Sequence, residues 1–126
     1  MDKIIYIAGP MTGLPQYNRP AFAEAERVLD RKFPEAVIIN PAMNFGGDLK
    51  LPYAVYMRMS IHQLLMATAV CLLAGWQGSS GAVTEKQIAD SLDLRLMHLH
   101  TDGRLFEEYG QEGEDGIIRK GYLKEL

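Results

Sequence analysis

One stretch of this 126-residue chain concentrates residue types able to do chemistry: Gly78-Ser79-Ser80-Gly81-Ala82-Val83-Thr84-Glu85. It follows the apolar run Ala69–Ala74 and opens a helical pattern. Serine hydroxyls, backbone N–H groups and the positive helix end can there cradle an anion. A plain N-cap would use the same serines, and caps are the commoner feature. Glu85 is the sharper signal. On a 3.6-residue period it shares a face with Ile88, Ala89 and Leu92, the face that packs on a sheet. An acid that merely complements the helix dipole prefers the solvent side. A half-buried carboxylate without a basic neighbour marks a functional group instead.

Aromatic and imidazole side chains supply the other candidates. Tyr6, in the first apolar run, is placed to reach and orient Glu85, or else is a core tyrosine. Tyr17 and Tyr56 sit in or near loops that could join the same site. Trp76 can stack on a planar base or cover an edge of the core. His98 and His100 alternate onto one strand face, but no third ligand stands at useful spacing, so no metal is expected. Arg58 and His62, one turn apart, either line the crevice or form a solvated face.

These residues need elements to hold them. Ile4–Ala8 is a continuous apolar run of strand length stopped by Gly9-Pro10. Asn18 as cap and Pro20 in the first turn predict a helix from about 19 to 32, with Phe22, Ala25, Val28, Leu29 and Phe33 on one face. Ala36–Ile39 reads as a second strand stopped by Asn40-Pro41. After Pro52 the spacing of Tyr53, Met57, Ile61, Leu64 and Leu65 predicts a second helix. Ala69–Ala74 is a third strand, residues 81 to 92 a third helix, and Leu94–Leu99 a fourth strand. Residues 100–126 are polar and glycine-studded, which predicts short helical pieces or partial disorder.

The alternation of strand and helix calls for a single-domain α/β fold over residues 1–99. The expected form is an open parallel sheet of about four or five strands in a flavodoxin- or Rossmann-like three-layer α/β/α arrangement. Ligands in such sheets bind beyond the strand carboxyl ends, where strand order reverses. With the order 2-1-3-4, the loops after the first and third strands, Gly9-Pro10-Met11-Thr12-Gly13 and Gly75–Gly81, converge on one crevice.

Composition bounds the function. Thirteen Lys and Arg against 16 Asp and Glu give a net charge of −3, which offers no electrostatic footprint for duplex nucleic acid or an anionic membrane. No run approaches the ~20 apolar residues of a membrane span. The N-terminal apolar run is too short for a signal-peptide core. One cysteine, Cys71, excludes an intramolecular disulfide and a thiolate metal cage, which points to the reducing cytoplasm.

Tyr6-Ile7-Ala8-Gly9-Pro10, then Asn40-Pro41-Ala42, then Gly75-Trp76-x-x-Ser79-x-Gly81-Ala82-x-x-Glu85 together resemble the nucleoside 2-deoxyribosyltransferase-like superfamily. The nearest branch is a small, mostly phage and prophage family of unassigned function. The likeness spans residues 3 to about 99. It implies Glu85 as a nucleophile on the anomeric carbon of a deoxyribosyl unit, with Tyr6 holding its carboxylate, by the logic of a retaining glycosidase. It further implies a substrate cradle of Gly9, Pro10, Met11, Asn40, Trp76, Ser79, Ser80 and Gly81, no cofactor, and a homo-oligomer in which residues 100–126 lie at an interface. In the superfamily the residue six before the glutamate is Asp in transferases of free nucleosides and Ser in 2′-deoxynucleoside 5′-phosphate N-hydrolases. Ser79 stands there, and a hydroxyl welcomes a phosphate that an aspartate would repel. The expectation is therefore cleavage, or base exchange, at the N-glycosidic bond of a 2′-deoxynucleoside 5′-monophosphate.

The chain departs from that pattern at Ser60 and Thr68, where aspartate is usual. Loss of the acid at Ser60 removes a proton donor to the leaving base, an assistance worth about 10²–10⁴ in rate. Asp48, Tyr56 and His62 are candidate replacements. The competing expectations are a nucleotide sensor or sponge without turnover and a phage accessory protein that acts through a protein contact.

Overall fold

A computed structural model describes residues 3–48 and 50–126. Strands Ile4–Ala8 (β1), Val37–Ile39 (β2), Ala69–Leu73 (β3) and Arg95–Leu99 (β4) alternate with helices Arg19–Lys32 (α1), Tyr53–Leu65 (α2) and Ser80–Ser91 (α3). Two further strands, Leu105–Glu112 (β5) and Ile118–Glu125 (β6), complete a six-stranded sheet of order β2-β1-β3-β4-β5-β6. The first four strands are parallel, with Tyr6 opposite both Ile39 and Val70, and Val70 opposite Leu96. β5 and β6 run antiparallel, pairing His98 with Phe106 and Tyr109 with Tyr122.

The strand residues alternate between two cores, as a two-residue period requires. Ile5, Ile7, Cys71, Leu73 and Met97 pack on one side against Phe22, Ala25, Val28 and Leu29 of α1. Tyr6, Ala8, Val70, Leu72 and Leu96 pack on the other against Leu64 of α2 and Ala89 of α3. Helices thus cover both faces of the parallel part. Cys71 is a core residue, and burial pushes its thiol up to about 12. Thr68 serves the sheet: its hydroxyl accepts from the Ile4 N–H at 3.1 Å, and its own N–H donates to the Ile4 carbonyl at 2.8 Å.

The C-terminal expectation needs correction. Residues 105–125 are neither helical pieces nor an irregular tail but a β-hairpin continuous with the sheet, so the strands number six and the sheet is mixed. The hairpin carries no buried stripe: all of β6 is exposed, so it lacks the apolar alternation by which half-buried strands are read. Cross-strand pairs hold it instead, among them Tyr109 on Tyr122 at 5.7 Å and the Arg95–Glu107 ion pair that joins it to β4. Among the described residues no helix is long and apolar enough to cross a membrane.

Candidate active site

A cavity of about 450 Å³ opens where the ends of β1, α2 and α3 meet. β1 and the loop after it deliver Tyr6, Gly9, Pro10 and Met11; the loop after β3 and the start of α3 deliver Gly78–Ala82 and Glu85. This is the β1/β3 crevice where strand order reverses. Gly9 lets these pieces meet, because a Cβ there would stand 2.8 Å from the Leu73 Cβ. Gly81 has a similar role at the helix entrance, with the Tyr53 hydroxyl 3.2 Å and the Met57 sulfur 3.3 Å from where its Cβ would be.

Glu85 is 5% exposed and is the one charged residue in the core of the described chain. The Tyr6 phenol, itself 1% exposed, donates to Glu85 Oε2. Burial pushes the Glu85 carboxyl up to about 7, and the Tyr6 bond works against that rise. The phenol is held well above its ordinary range by burial first, then by the neighbouring carboxylate and the bond to it, while the nearby Ser60 hydroxyl works the other way. A carboxyl at about 7 is present in both protonation states near neutrality, which suits it to nucleophilic or proton-transfer work.

At the helix entrance, Ser79 Oγ accepts from the Ala82 N–H at 3.2 Å, so this serine is an N-cap. The hydroxyl still lines the cavity, as do Ser80 and Gly81. The far wall is tyrosine-rich: Tyr17, Tyr53 and Tyr56, with Met57 and Leu51. Tyr17 is held there by unusual backbone, since Gln16, Tyr17 and Asn18 are consecutively left-handed with φ of 54°, 52° and 62°. Outside glycine such a conformation costs roughly 1–2 kcal/mol per residue. Cross-loop bonds hold it. Asn18 caps no N–H of α1 with its side chain and instead donates to the Pro10 carbonyl at 2.9 Å, while Arg19 donates to the Gly47 carbonyl.

Of the sequence candidates, Glu85, Tyr6, Gly9, Pro10, Met11, Ser79, Ser80, Gly81 and Tyr56 line this cavity. Asn40, Trp76, Asp48 and His62 do not. Asn40 caps the turn that follows it, accepting from the Ala42 N–H at 3.0 Å and donating to Glu26 at 3.2 Å. Trp76 covers the core edge beside His98, in a separate cavity of about 380 Å³ that also takes in His100. Asp48 accepts from the Lys50 N–H at 2.9 Å through its side chain and from the Tyr56 hydroxyl through its carbonyl. That bond leaves the Tyr56 proton committed. His62 and Arg58 lie on the exposed side of α2, and Leu92, expected on the face of Glu85, is exposed because α3 ends at Ser91.

On α2, the spacing of Tyr53 and Met57 predicts a core face and Ser60 stands as a lost acid, yet all three line the cavity. Their separation by four and three residues is the same one-face signal that a core contact gives.

A family model matches residues 3–98, described as a domain of unknown function, DUF4406. The chain belongs to that family. The β5–β6 hairpin lies beyond the matched span. No curated protein matches the sequence.

Proposed function

We propose that the chain cleaves the N-glycosidic bond of a 2′-deoxynucleoside 5′-monophosphate, or exchanges its base, with Glu85 as the attacking carboxylate. The observation that carries this reading is the buried Glu85 carboxyl, hydrogen-bonded by Tyr6 and lining the same cavity as the N-terminus of α3. In the ionised state Glu85 attacks the anomeric carbon, and the Tyr6 phenol fixes which carboxylate oxygen remains free to do so. Ser79, Ser80 and the first N–H groups of α3 suit the phosphate. The motif likeness to the nucleoside 2-deoxyribosyltransferase-like superfamily and the order β2-β1-β3-β4, that of a flavodoxin-like sheet, support the same assignment.

The exposed Tyr109, Ile118, Tyr122 and Leu123 on the hairpin support a homo-oligomer, and the lone buried Cys71 agrees with a reducing cytoplasm. One observation favours a second reading, nucleotide binding without turnover: Glu85 is the only carboxyl among the described cavity residues. The deciding experiment is incubation with deoxy- and ribonucleoside monophosphates, with free base read by chromatography and Glu85→Ala in parallel. Base release that vanishes in the variant is the expected result. Saturable binding with no release from any of them favours the second reading.

A further inference from the structure

The charge inventory of the cavity restricts what its leaving group can be. Glycoside cleavage ordinarily divides the work between two carboxyls, one attacking and one protonating the departing atom. Here the described lining holds one carboxyl, and no Lys, Arg, His or Asp. Tyr56 already donates its proton to the Asp48 carbonyl, and Tyr6 donates its own to Glu85. What remains is the phenols of Tyr17 and Tyr53 and the hydroxyls of Ser60, Ser79, Ser80 and Thr12, all far weaker acids than the second carboxyl that ordinarily protonates the departing atom. What the cavity does offer is a buried carboxyl within a wall of tyrosines, an environment that attracts a flat cation through both charge and ring quadrupole.

We propose that the nucleotide cleaved here carries a cationic heteroaromatic base, a pyridinium joined to the sugar through its quaternary nitrogen. This deepens the N-glycosidic reading and rests on it. A Glu85 oxygen forms a bond to C1′ as the C1′–N bond breaks, and the bonding pair goes to the ring nitrogen. The pyridinium thereby becomes a neutral pyridine and leaves without receiving a proton. Water then attacks C1′, the ester bond to Glu85 breaks to restore the carboxylate, and the surplus water proton goes to solvent. The sum is pyridinium nucleotide plus water giving sugar phosphate, neutral pyridine and one proton. No acid is required at any step, which matches the residues present. The phosphate of the same molecule faces the α3 N-terminus, so the ligand is a zwitterion matched at both ends.

The test compares 2′-deoxynicotinamide 5′-mononucleotide with the monophosphates of deoxyadenosine and deoxycytidine on the full chain, each rate divided by the spontaneous rate of the same compound. The expected result is a larger acceleration for the pyridinium by at least about tenfold, with one proton released per turnover at about pH 8. Equal or larger acceleration for the neutral bases overturns this proposal and leaves the N-glycosidic reading standing. Release from none of the three overturns both. Affinity provides the independent arm. At about pH 8 the pyridinium nucleotide should bind at least about tenfold more tightly than its neutral 1,4-dihydropyridine form, and Glu85→Gln should reduce that preference to a few-fold. Equal affinity of the wild type for the two forms overturns the proposal.

Discussion

Replacing Glu85 by glutamine tests the environment of that carboxyl without any substrate. In the unfolded chain the group titrates at about its ordinary 4.5; in the folded protein burial moves it to about 7. Below pH 4.5 both states hold the proton and the group contributes no pH dependence. Between 4.5 and 7 the unfolded chain loses its proton while the folded one keeps it, so stability falls as pH rises, and above 7 it is level again. The difference between the two values corresponds to about 3 kcal/mol. Glutamine is close in shape, neutral at every pH, and can still accept the Tyr6 hydroxyl. The variant should therefore match the wild type at about pH 4 and exceed its stability by about 3 kcal/mol at about pH 8. With an m-value of about 2 kcal/mol per molar, its urea midpoint at the higher pH should lie about 1–2 M higher. Paired urea titrations at half-unit intervals from about pH 4 to about pH 8.5 read this directly, since every other carboxyl titrates alike in the two proteins. A wild-type-minus-variant difference that stays constant across that range would refute the buried-carboxyl argument. A gain in stability together with lost base release would identify Glu85 as a group kept for function at the expense of the fold.

Tyr6→Phe removes the donor that holds the Glu85 proton affinity down, so the rise of activity through about pH 7 should move to higher pH. A lost bond to a charged acceptor is worth about 1.5–3 kcal/mol, which places the shift at roughly one to two pH units; a pH–rate profile reads it, and an unmoved limb removes the positioning role. Ser79→Asp should weaken monophosphate binding by at least about tenfold through like-charge repulsion, while affinity for the unphosphorylated nucleoside changes little. Equal losses for the two ligands in a calorimetric titration would remove the phosphate cradle. Gly9→Ala should destabilise the fold by about 1–3 kcal/mol, because the new methyl would stand 2.8 Å from the Leu73 Cβ, which belongs to a strand that cannot move aside. Thermal unfolding checks it, and an unchanged midpoint would mean that the β1 and β3 ends are not packed as described.

The parallel core was legible because burial on both faces writes itself into the residues. Ile4–Ala8 and Ala69–Leu73 are continuous apolar runs, and punctuation by Gly9-Pro10, Asn40-Pro41 and Pro52 falls where elements end or begin. The hairpin was not legible because little of it is buried: of its two strands only Leu105, at the start, belongs to the core. Its strands, LFEEYGQE and IRKGYLKE, show no regular apolar alternation, and their pairing is recorded in Tyr109–Tyr122 and Arg95–Glu107, contacts between residues 12 or more positions apart. One local signal was there. Asp115-Gly116 separates two eight-residue strands, and in the structure Gly116 is left-handed at φ 78° while the Asp115 carboxylate accepts from the Ile117 N–H at 3.0 Å.

The candidate site divides along the same line. Glu85 and Tyr6 could be placed because each sits inside a regular element, where period alone says which way a side chain points. Asn40, Asp48 and Trp76 stand in loops, where residue type carries no direction, and each has a local role in the structure. Asn40 caps a turn, Asp48 closes the next one, and Trp76 covers a core edge. Tyr53, Met57 and Ser60 failed differently. Helical spacing put Tyr53 and Met57 on one face but did not say what that face meets, and Ser60 was weighed by its type alone; the first half of α2 overhangs the cavity, while only its last turns, at Leu64, reach the core. The absent aspartate at position 60 looks like a loss when it is judged by its type alone. Beside Tyr6, a neutral hydroxyl has its own consequence: a second carboxylate there would repel the ionised Glu85 and raise its proton affinity further. Among the described residues Ser60 leaves Glu85 as the one carboxyl lining a tyrosine-walled cavity, and it is on this feature that the proposal of a substrate already carrying its positive charge rests.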